Sequence, residues 1–317
     1  MASGVSRPPP RDTTRESNLG AKGGLPEVPF GTVVGGDYMI VRPLRRGTAG
    51  ALYIAEQLST SQHRALKIMH AAYVSDETLF KRFEREAQMA AKIPSEHVTQ
   101  IIASGVDEKM QIPWIAMELL EGQNLADHVS EFGPMPKDMV RGIFEQLCHA
   151  ISAAHKLGVV HRDLKPANIF LSDARRVGAQ KMVKVLDFGV ARVMTESLTL
   201  QGAPLGTPNW MSPEQVRGES ATTATDVWAL GLIAFYMLTA KPFWRACLVA
   251  NNDFEVMREI GEEAVPIASM RALELGAGDL IPKGFNEWFA QCVVREQKER
   301  FVNATAAYAA LAQSLSA

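Results

Sequence analysis

The octet His161-Arg162-Asp163-Leu164-Lys165-Pro166-Ala167-Asn168 sets a carboxylate, an amine and an amide within a few residues of one another. Asp187-Phe188-Gly189 adds a second carboxylate after an apolar, strand-like run, Val183-Lys184-Val185-Leu186. Together these groups are what is needed to hold a metal-bound triphosphate beside a hydroxyl nucleophile. Phosphoryl transfer asks a protein for positioning and charge neutralisation rather than for covalent chemistry. On that reading Asp163 accepts the proton of the attacking hydroxyl. Asn168 and Asp187 bind Mg²⁺, and Lys165 neutralises the moving phosphoryl group. Taken singly, each residue has a plainer role: His161 as a core histidine, Asp163 as a turn cap, Asn168 as a turn residue. The order of the octet and the triplet after it argue for chemistry.

These two runs resemble the catalytic and metal-binding loops of the protein kinases. Lys165, two residues after Asp163, resembles the Ser/Thr-specific form of the loop. The likeness extends over residues 38–313 and is strongest to bacterial, eukaryotic-like Ser/Thr protein kinases. It implies an α+β, two-lobed protein-kinase-like fold: a small antiparallel β-rich N-lobe with one key helix (38–117), a hinge (118–122) and a larger, mainly helical C-lobe (123–313). It also implies ATP and Mg²⁺ as reactants, with Mn²⁺ as a possible substitute for the metal. Protein substrates with Ser or Thr acceptors follow, as does self-association for autophosphorylation. Two other readings are a pseudokinase scaffold and a small-molecule phosphotransferase. The first is disfavoured because every chemically demanding position carries a competent residue. The second lacks an explanation for Gly206 to Glu214, which resembles a platform for polypeptide substrates.

The elements that must position these groups are legible in outline. Short β-like runs occur at Tyr38–Val41, Ala51–Ala55, Ala65–Met69, Val98–Ile102 and Trp114–Met117, interrupted by a helical stretch, Asp76–Ile93. After Gly122 helical patterns dominate: Lys137–Leu157, Val227–Ala240, Phe254–Glu262, Asn286–Val294 and Asn303–Gln313. Residues 1–30 are rich in Pro, Gly, Ser and Arg and read as a disordered leader, with structure beginning near Tyr38.

Strand alternation sets Lys67 on one face with Ala65 and Met69, so its amine is partly buried and needs an anion. In the stretch Asp76–Ile93, Glu86 falls inside the apolar stripe Leu79, Phe83, Ala90, Ile93. Lys67 and Glu86 therefore read as mutual partners, and the kinase likeness gives the pair the task of positioning phosphates. Between two strand-like runs, Gly47 and Gly50 allow backbone N–H groups to approach a polyanion. Taken in isolation, they are better explained by an ordinary hairpin turn. The loop resembles the kinase glycine-rich loop but carries Arg45 where that family usually has glycine. By the same resemblance Leu44, Leu52, Ala65, Met117 and Phe170 border the adenine pocket, and backbone groups of Glu118 and Leu120 bind the base.

The resemblance further implies regulation. Arg162 stands where relatives meet a phosphorylated residue of the activation segment, Asp187 to Glu214. Thr195, Ser197 and Thr199 are the candidates, with Thr199 preferred. Thr207 is expected to contact the catalytic loop, Glu214 to pair with Arg300, and Asp226 to cap the buried helix and bond the catalytic-loop backbone.

Composition excludes other classes. The chain has 317 residues, 47% of them apolar, and a net charge of -2, so no basic field favours nucleic acid. Cys148, Cys247 and Cys292 fit no metal-ligand spacing and read as reduced thiols of a cytoplasmic protein. The longest apolar run, Val227–Ala240, falls short of the roughly 20 residues that span a bilayer. No membrane segment is expected in this chain; whether one follows Ala317 in a longer parent is left open.

Overall fold

The computed structural model describes residues 28–47, 50–69, 77–173, 181–188, 208–249 and 252–316. Thr195, Ser197, Thr199, Gly206 and Thr207, and nearly all of the leader, lie outside these residues.

Period-two alternation builds the first layer. Strands β1 (Val33–Val34), β2 (Tyr38–Gly47), β3 (Gly50–Gln57), β4 (Gln62–Met69), β5 (Ile101–Asp107) and β6 (Ile112–Glu118) form one antiparallel sheet in the order β1-β2-β3-β4-β6-β5. Tyr53, Leu66, Ile68, Trp114 and Ala116 face one side and make its core. The register pairs Leu52 with Lys67 and Ala65 with Met117, which puts these four on the opposite face. Helix α1 (Glu77–Ala91) links β4 to β5 and buries Ala87 and Ala90. Gly50 has a structural reason of its own: a Cβ there would lie 2.2 Å from the Ile68 carbonyl oxygen.

A second, three-stranded sheet of β7 (Gly122–Asn124), β8 (Ile169–Ser172) and β9 (Met182–Val185) sits at the start of the helical part. Around it lie α2 (Leu125–Phe132), α3 (Lys137–Lys156), α4 (Pro213–Val216), α5 (Thr223–Thr239), α6 (Ala246–Val249), α7 (Asp253–Glu262), α8 (Ala268–Glu274), α9 (Phe285–Cys292) and α10 (Ala304–Ser316). The apolar run expected to be a buried helix is α5, with Val227, Trp228, Leu230, Ile233 and Phe235 wholly enclosed. An all-round apolar helix belongs at the centre of a core. The two-lobed α+β arrangement expected from the sequence is thus present. No helix among the described residues is long and apolar enough to cross a membrane.

Three boundaries differ from the sequence expectation. Ordered packing reaches back before Tyr38: Val28 and Val34 are buried in the sheet core, and the Val28 N–H donates to the Tyr53 hydroxyl at 3.4 Å. Two apolar residues in a Pro/Gly-rich stretch give no periodicity to detect. The strand expected at Val98–Ile102 starts at Ile101. Val98 instead makes a single parallel bridge to Val185, and Thr99 N–H donates to the Val185 carbonyl at 3.1 Å. A short apolar run does not reveal whether it pairs within a sheet or crosses between lobes. Finally, Thr222, not Asp226, caps α5, accepting from Ala224 N–H at 3.3 Å. Asp226 lies one turn inside and has other work.

Glu214 and Arg300 lock α4 onto the C-terminal helices, as expected. Both side chains are buried, and the guanidinium grips both carboxylate oxygens, at 2.8 and 2.9 Å. Burial pushes the Glu214 carboxyl up, but Arg300 hydrogen bonds and charge bring it below the usual value. Its contribution to stability is therefore present above the ordinary carboxylate range and is lost as pH falls through the lowered folded value. Removing one partner strands the other charge in the core. Arg300→Met is expected to lose about 3–5 kcal/mol of unfolding free energy in urea denaturation at neutral pH. The loss should shrink on acidification, as Glu214 becomes protonated in both proteins.

Candidate active site

His161 is wholly buried, and its ring packs on Phe188 with centroids 4.7 Å apart. Its Nε2 lies 2.9 Å from the Leu186 carbonyl, and its Nδ1 lies 3.3 Å from Asp163 N–H. A carbonyl only accepts and an amide N–H only donates, so the proton is on Nε2. The imidazole is a strut between the two loops, the core role expected for it.

Asp163 is the hub of the loop. Its carboxylate accepts from Lys165 Nζ at 2.9 and 2.8 Å. Asn168 Nδ2 donates to the Asp163 carbonyl at 2.8 Å and to Oδ2 at 3.0 Å. With its nitrogen committed to Asp163, the Asn168 amide turns its oxygen away as a donor for a cation. Asn168 closes a 3₁₀ turn, Pro166–Asn168, begun by a proline whose fixed φ suits that position. Its carbonyl accepts from Leu186 N–H at 2.9 Å, which ties the loop to the end of β9.

Asp187 follows β9 with φ +59, and Arg162 has φ +66. Non-glycine residues in this region are held there by their surroundings and cluster at functional sites. For Asp187 the surrounding group is Lys67, whose Nζ lies 2.7 Å from Oδ1. This contact spans the two lobes. Burial pushes the Asp187 carboxyl up, and the Lys67 charge and hydrogen bond bring it below the usual value.

That pairing corrects one expectation. Among the ion pairs of the described residues, Lys67 is joined to Asp187 and not to Glu86. Glu86 does sit on the inward side of α1, next to buried Ala87 and half-buried itself. The sequence showed that the ammonium needed an anion. Which carboxylate comes within 3 Å depended on how α1 and β9 flank the sheet.

The strands expected at Ala51–Ala55, Ala65–Met69 and Trp114–Met117 carry three of the remaining nucleotide candidates, while Leu44, expected in a loop, lies on β2. Leu52, Ala65 and Met117 share the cleft face of the sheet with Lys67. Leu44 is exposed on β2, and Gly47 and Gly50 pair across the turn between β2 and β3. Arg45 lies opposite Leu52 and is exposed. Phe170, on β8, pairs with Asn124 and Lys184. Glu118 ends β6, and Leu120 lies in the link to β7. Glu118 Oε1 also accepts from Lys184 Nζ at 2.7 Å and Gln100 N–H at 2.8 Å, which fastens the hinge to β9.

Asn168 and Asp187 offer only hard oxygen donors, which suit Mg²⁺. Such an ion is held by one or two side chains together with substrate phosphates. No group of three or more His, Cys, Asp or Glu with metal-ligating placement occurs among the described residues, and a phosphate-shared ion does not require one.

The sequence profile of the protein kinase domain matches residues 38–309. The chain belongs to the protein kinase family. It is 39% identical over 211 residues to the serine/threonine-protein kinase Pkn1 of Myxococcus xanthus, covering 66% of this chain and 30% of that protein. To the serine/threonine-protein kinase PknL of Mycobacterium tuberculosis it is 31% identical over 271 residues, covering 85% of this chain and 63% of that protein. Against Pkn1, pkn2 and PrkC the chain spans 30%, 26% and 32% of their lengths. The crystal structure of the PknI kinase domain from Mycobacterium tuberculosis superposes with a TM-score of 0.69 at 21% identity, over 90% of this chain and 99% of that one. At that identity the likeness is one of fold.

Two features of this chain were not anticipated from the sequence. Besides its expected bond to the loop backbone at His161 N–H, Asp226 Oδ2 accepts from His155 Nε2 at 2.7 Å. Gln215 Nε2 donates to the Arg162 carbonyl at 2.6 Å. A signal existed for the second, since Ser212 and Gln215 have capping-box spacing.

Lys67→Met leaves Asp187 with burial as its chief influence, so its carboxyl should titrate higher than in the unaltered chain. In the unaltered chain the Asp187 contribution is present above the ordinary carboxylate range and is lost only as pH falls through the lowered value. In the variant the Lys67 part of that contribution is gone, so less stability is left to lose. Thermal melts between about pH 7 and about pH 4 should show Lys67→Met losing less stability on acidification than its parent.

Proposed function

We propose that this chain is an ATP-dependent serine/threonine protein kinase, transferring the γ-phosphate of ATP to Ser or Thr hydroxyls of proteins. The observation that carries the reading is the bonded set Asp163, Lys165 and Asn168 on one loop, facing Asp187 and the cross-lobe Lys67.

In this reading Asp163 orients the acceptor hydroxyl and takes its proton, while Lys165 stays beside it to offset charge on the transferred group. Asn168 and Asp187 hold Mg²⁺, which neutralises the triphosphate; Mn²⁺ meets the same oxygen donors. Lys67 reaches phosphate from the sheet side, and Glu86 stands on α1. The adenine lies between Leu52, Ala65 and Met117 above and Phe170 below. The Glu118 carbonyl and Leu120 N–H bind its edge, and Gly47 and Gly50 bring backbone toward the phosphates.

The test is transfer of labelled γ-phosphate to a generic basic protein. Asp163→Asn should lower kcat by about 10²–10⁴ with nucleotide binding retained. An unaltered chain that binds Mg-ATP and transfers nothing would instead describe a scaffold.

Regulation by autophosphorylation between two copies fits Arg162, whose guanidinium suits a phosphate. Phosphosites mapped after incubation with Mg-ATP should include Thr199, and Thr199→Ala should lower activity. Unchanged activity in that variant removes the assigned role.

A further inference from the structure

We propose that Gln215 is a positioning residue for the catalytic aspartate, and that its side-chain amide fixes the Arg162–Asp163 peptide and so sets the aim of Asp163. The inference rests on the reading of Asp163 as the group that meets the acceptor hydroxyl.

A peptide unit is planar, so holding its carbonyl oxygen fixes the direction of the next N–H and Cα. The Arg162–Asp163 unit begins from an unfavourable backbone, φ +66 at Arg162. Two grips hold it there. Asp226 accepts from Arg162 N–H at 2.9 Å, which fixes the preceding His161–Arg162 peptide and so the near side of Arg162. Gln215 Nε2 donates to the Arg162 carbonyl at 2.6 Å, which fixes the far side. The N–H of Asp163 itself makes a longer bond, 3.3 Å to His161 Nδ1. The short Gln215 bond is thus the closer restraint on that plane.

The orientation of the amide follows from chemistry. Arg162 O accepts only, so it must face the Gln215 nitrogen. The other half, Oε1, accepts from Ser212 N–H at 3.0 Å and from Ser212 Oγ at 3.2 Å. Ser212 is wholly buried. The neighbour of Gln215 on α4, Glu214, is anchored to Arg300. Ser212 follows the turn Pro208–Trp210, whose Asn209 carbonyl accepts from Trp244 Nε1 at 3.1 Å. One amide therefore joins the segment that resembles the substrate platform to the backbone that carries the base. Either half lost loosens one from the other.

The variants are Gln215→Glu and Gln215→Met in the full chain. Glutamate keeps the acceptor for Ser212 but turns a second oxygen toward the Arg162 carbonyl. Methionine preserves length and removes all three bonds. Rates are scored per nucleotide-binding site, so an unfolded fraction does not count as lost catalysis. For Gln215→Glu we expect kcat to fall about tenfold or more, with Mg-ATP affinity within about twofold of the parent. Protonation of the introduced carboxyl restores an O–H donor to the carbonyl. The ratio of variant to parental kcat should therefore rise between about pH 8 and about pH 6, because a carboxylate facing a carbonyl dipole titrates high. Gln215→Met should show the loss without that recovery, and it supplies the kcat comparison if the Glu variant does not fold. An active parent with both variants within about twofold of its kcat overturns the inference alone, as does a loss matched by loss of nucleotide affinity. A parent that binds nucleotide and transfers nothing overturns the kinase reading and this inference with it.

Discussion

A carboxylate withdrawn from water must be fully partnered, or it protonates. Asp226 is 1% exposed and meets that condition with three donors. Backbone N–H groups of His161 and Arg162 each lie 2.9 Å away, and His155 Nε2 lies at 2.7 Å. Burial alone would push its carboxyl up; the His155 hydrogen bond and charge hold it below the usual value. The acceptor for the catalytic-loop backbone is therefore an ion set in a helix enclosed by the core. The left-handed Arg162, the turn into Asp163 and the grip of Asn168 on that aspartate all build outward from this point.

From that base the site is assembled across two lobes by few bonds. Lys67 reaches from the sheet to Asp187, and Lys184 reaches from β9 to Glu118 at the hinge. Val98 and Thr99 meet Val185 through backbone. Each of these contacts joins β9 or its end to the N-lobe or the hinge. β9 is thus the element on which sheet, hinge and catalytic loop converge, while its apolar residues Val183 and Val185 are buried in the helical core. A strand anchored so firmly gives the carboxylate after it a defined position, although that carboxylate is itself in a disfavoured backbone conformation.

The second anchor lies at α4. Arg300 grips Glu214, stands over the Trp228 ring at 5.0 Å, and Trp228 in turn stacks with Trp244 at 5.9 Å. Trp244 donates to the segment that resembles the polypeptide platform, and Gln215 carries the connection on to the catalytic loop. Packing of large aromatic groups around a buried ion pair makes a stiff support, because neither the charges nor the rings have an alternative place to go.

Much of this was legible in the residues. Asp163, Lys165, Asn168 and Asp187 come from short segments whose order is enough to suggest their work, and the buried helix announced itself by an apolar run without a polar face. Glu214 with Arg300, and the bonds from Asp226 to the loop, followed from the family likeness and are found as expected. Local sequence did not reveal which carboxylate Lys67 would take, since Glu86 and Asp187 both offer a charge and only the approach of α1 and β9 to the sheet chooses between them. Nor did it show that Val98 bridges the lobes, that Val28 and Val34 belong to the sheet core, or that a glutamine with capping-box spacing also reaches 53 residues back to the Arg162 carbonyl. The sequence by itself determined the chemical groups and the elements that carry them, because these depend on neighbours along the chain. Tertiary structure alone decided the partners, because a hydrogen bond or ion pair depends on distances of about 3 Å that no spacing along the chain encodes.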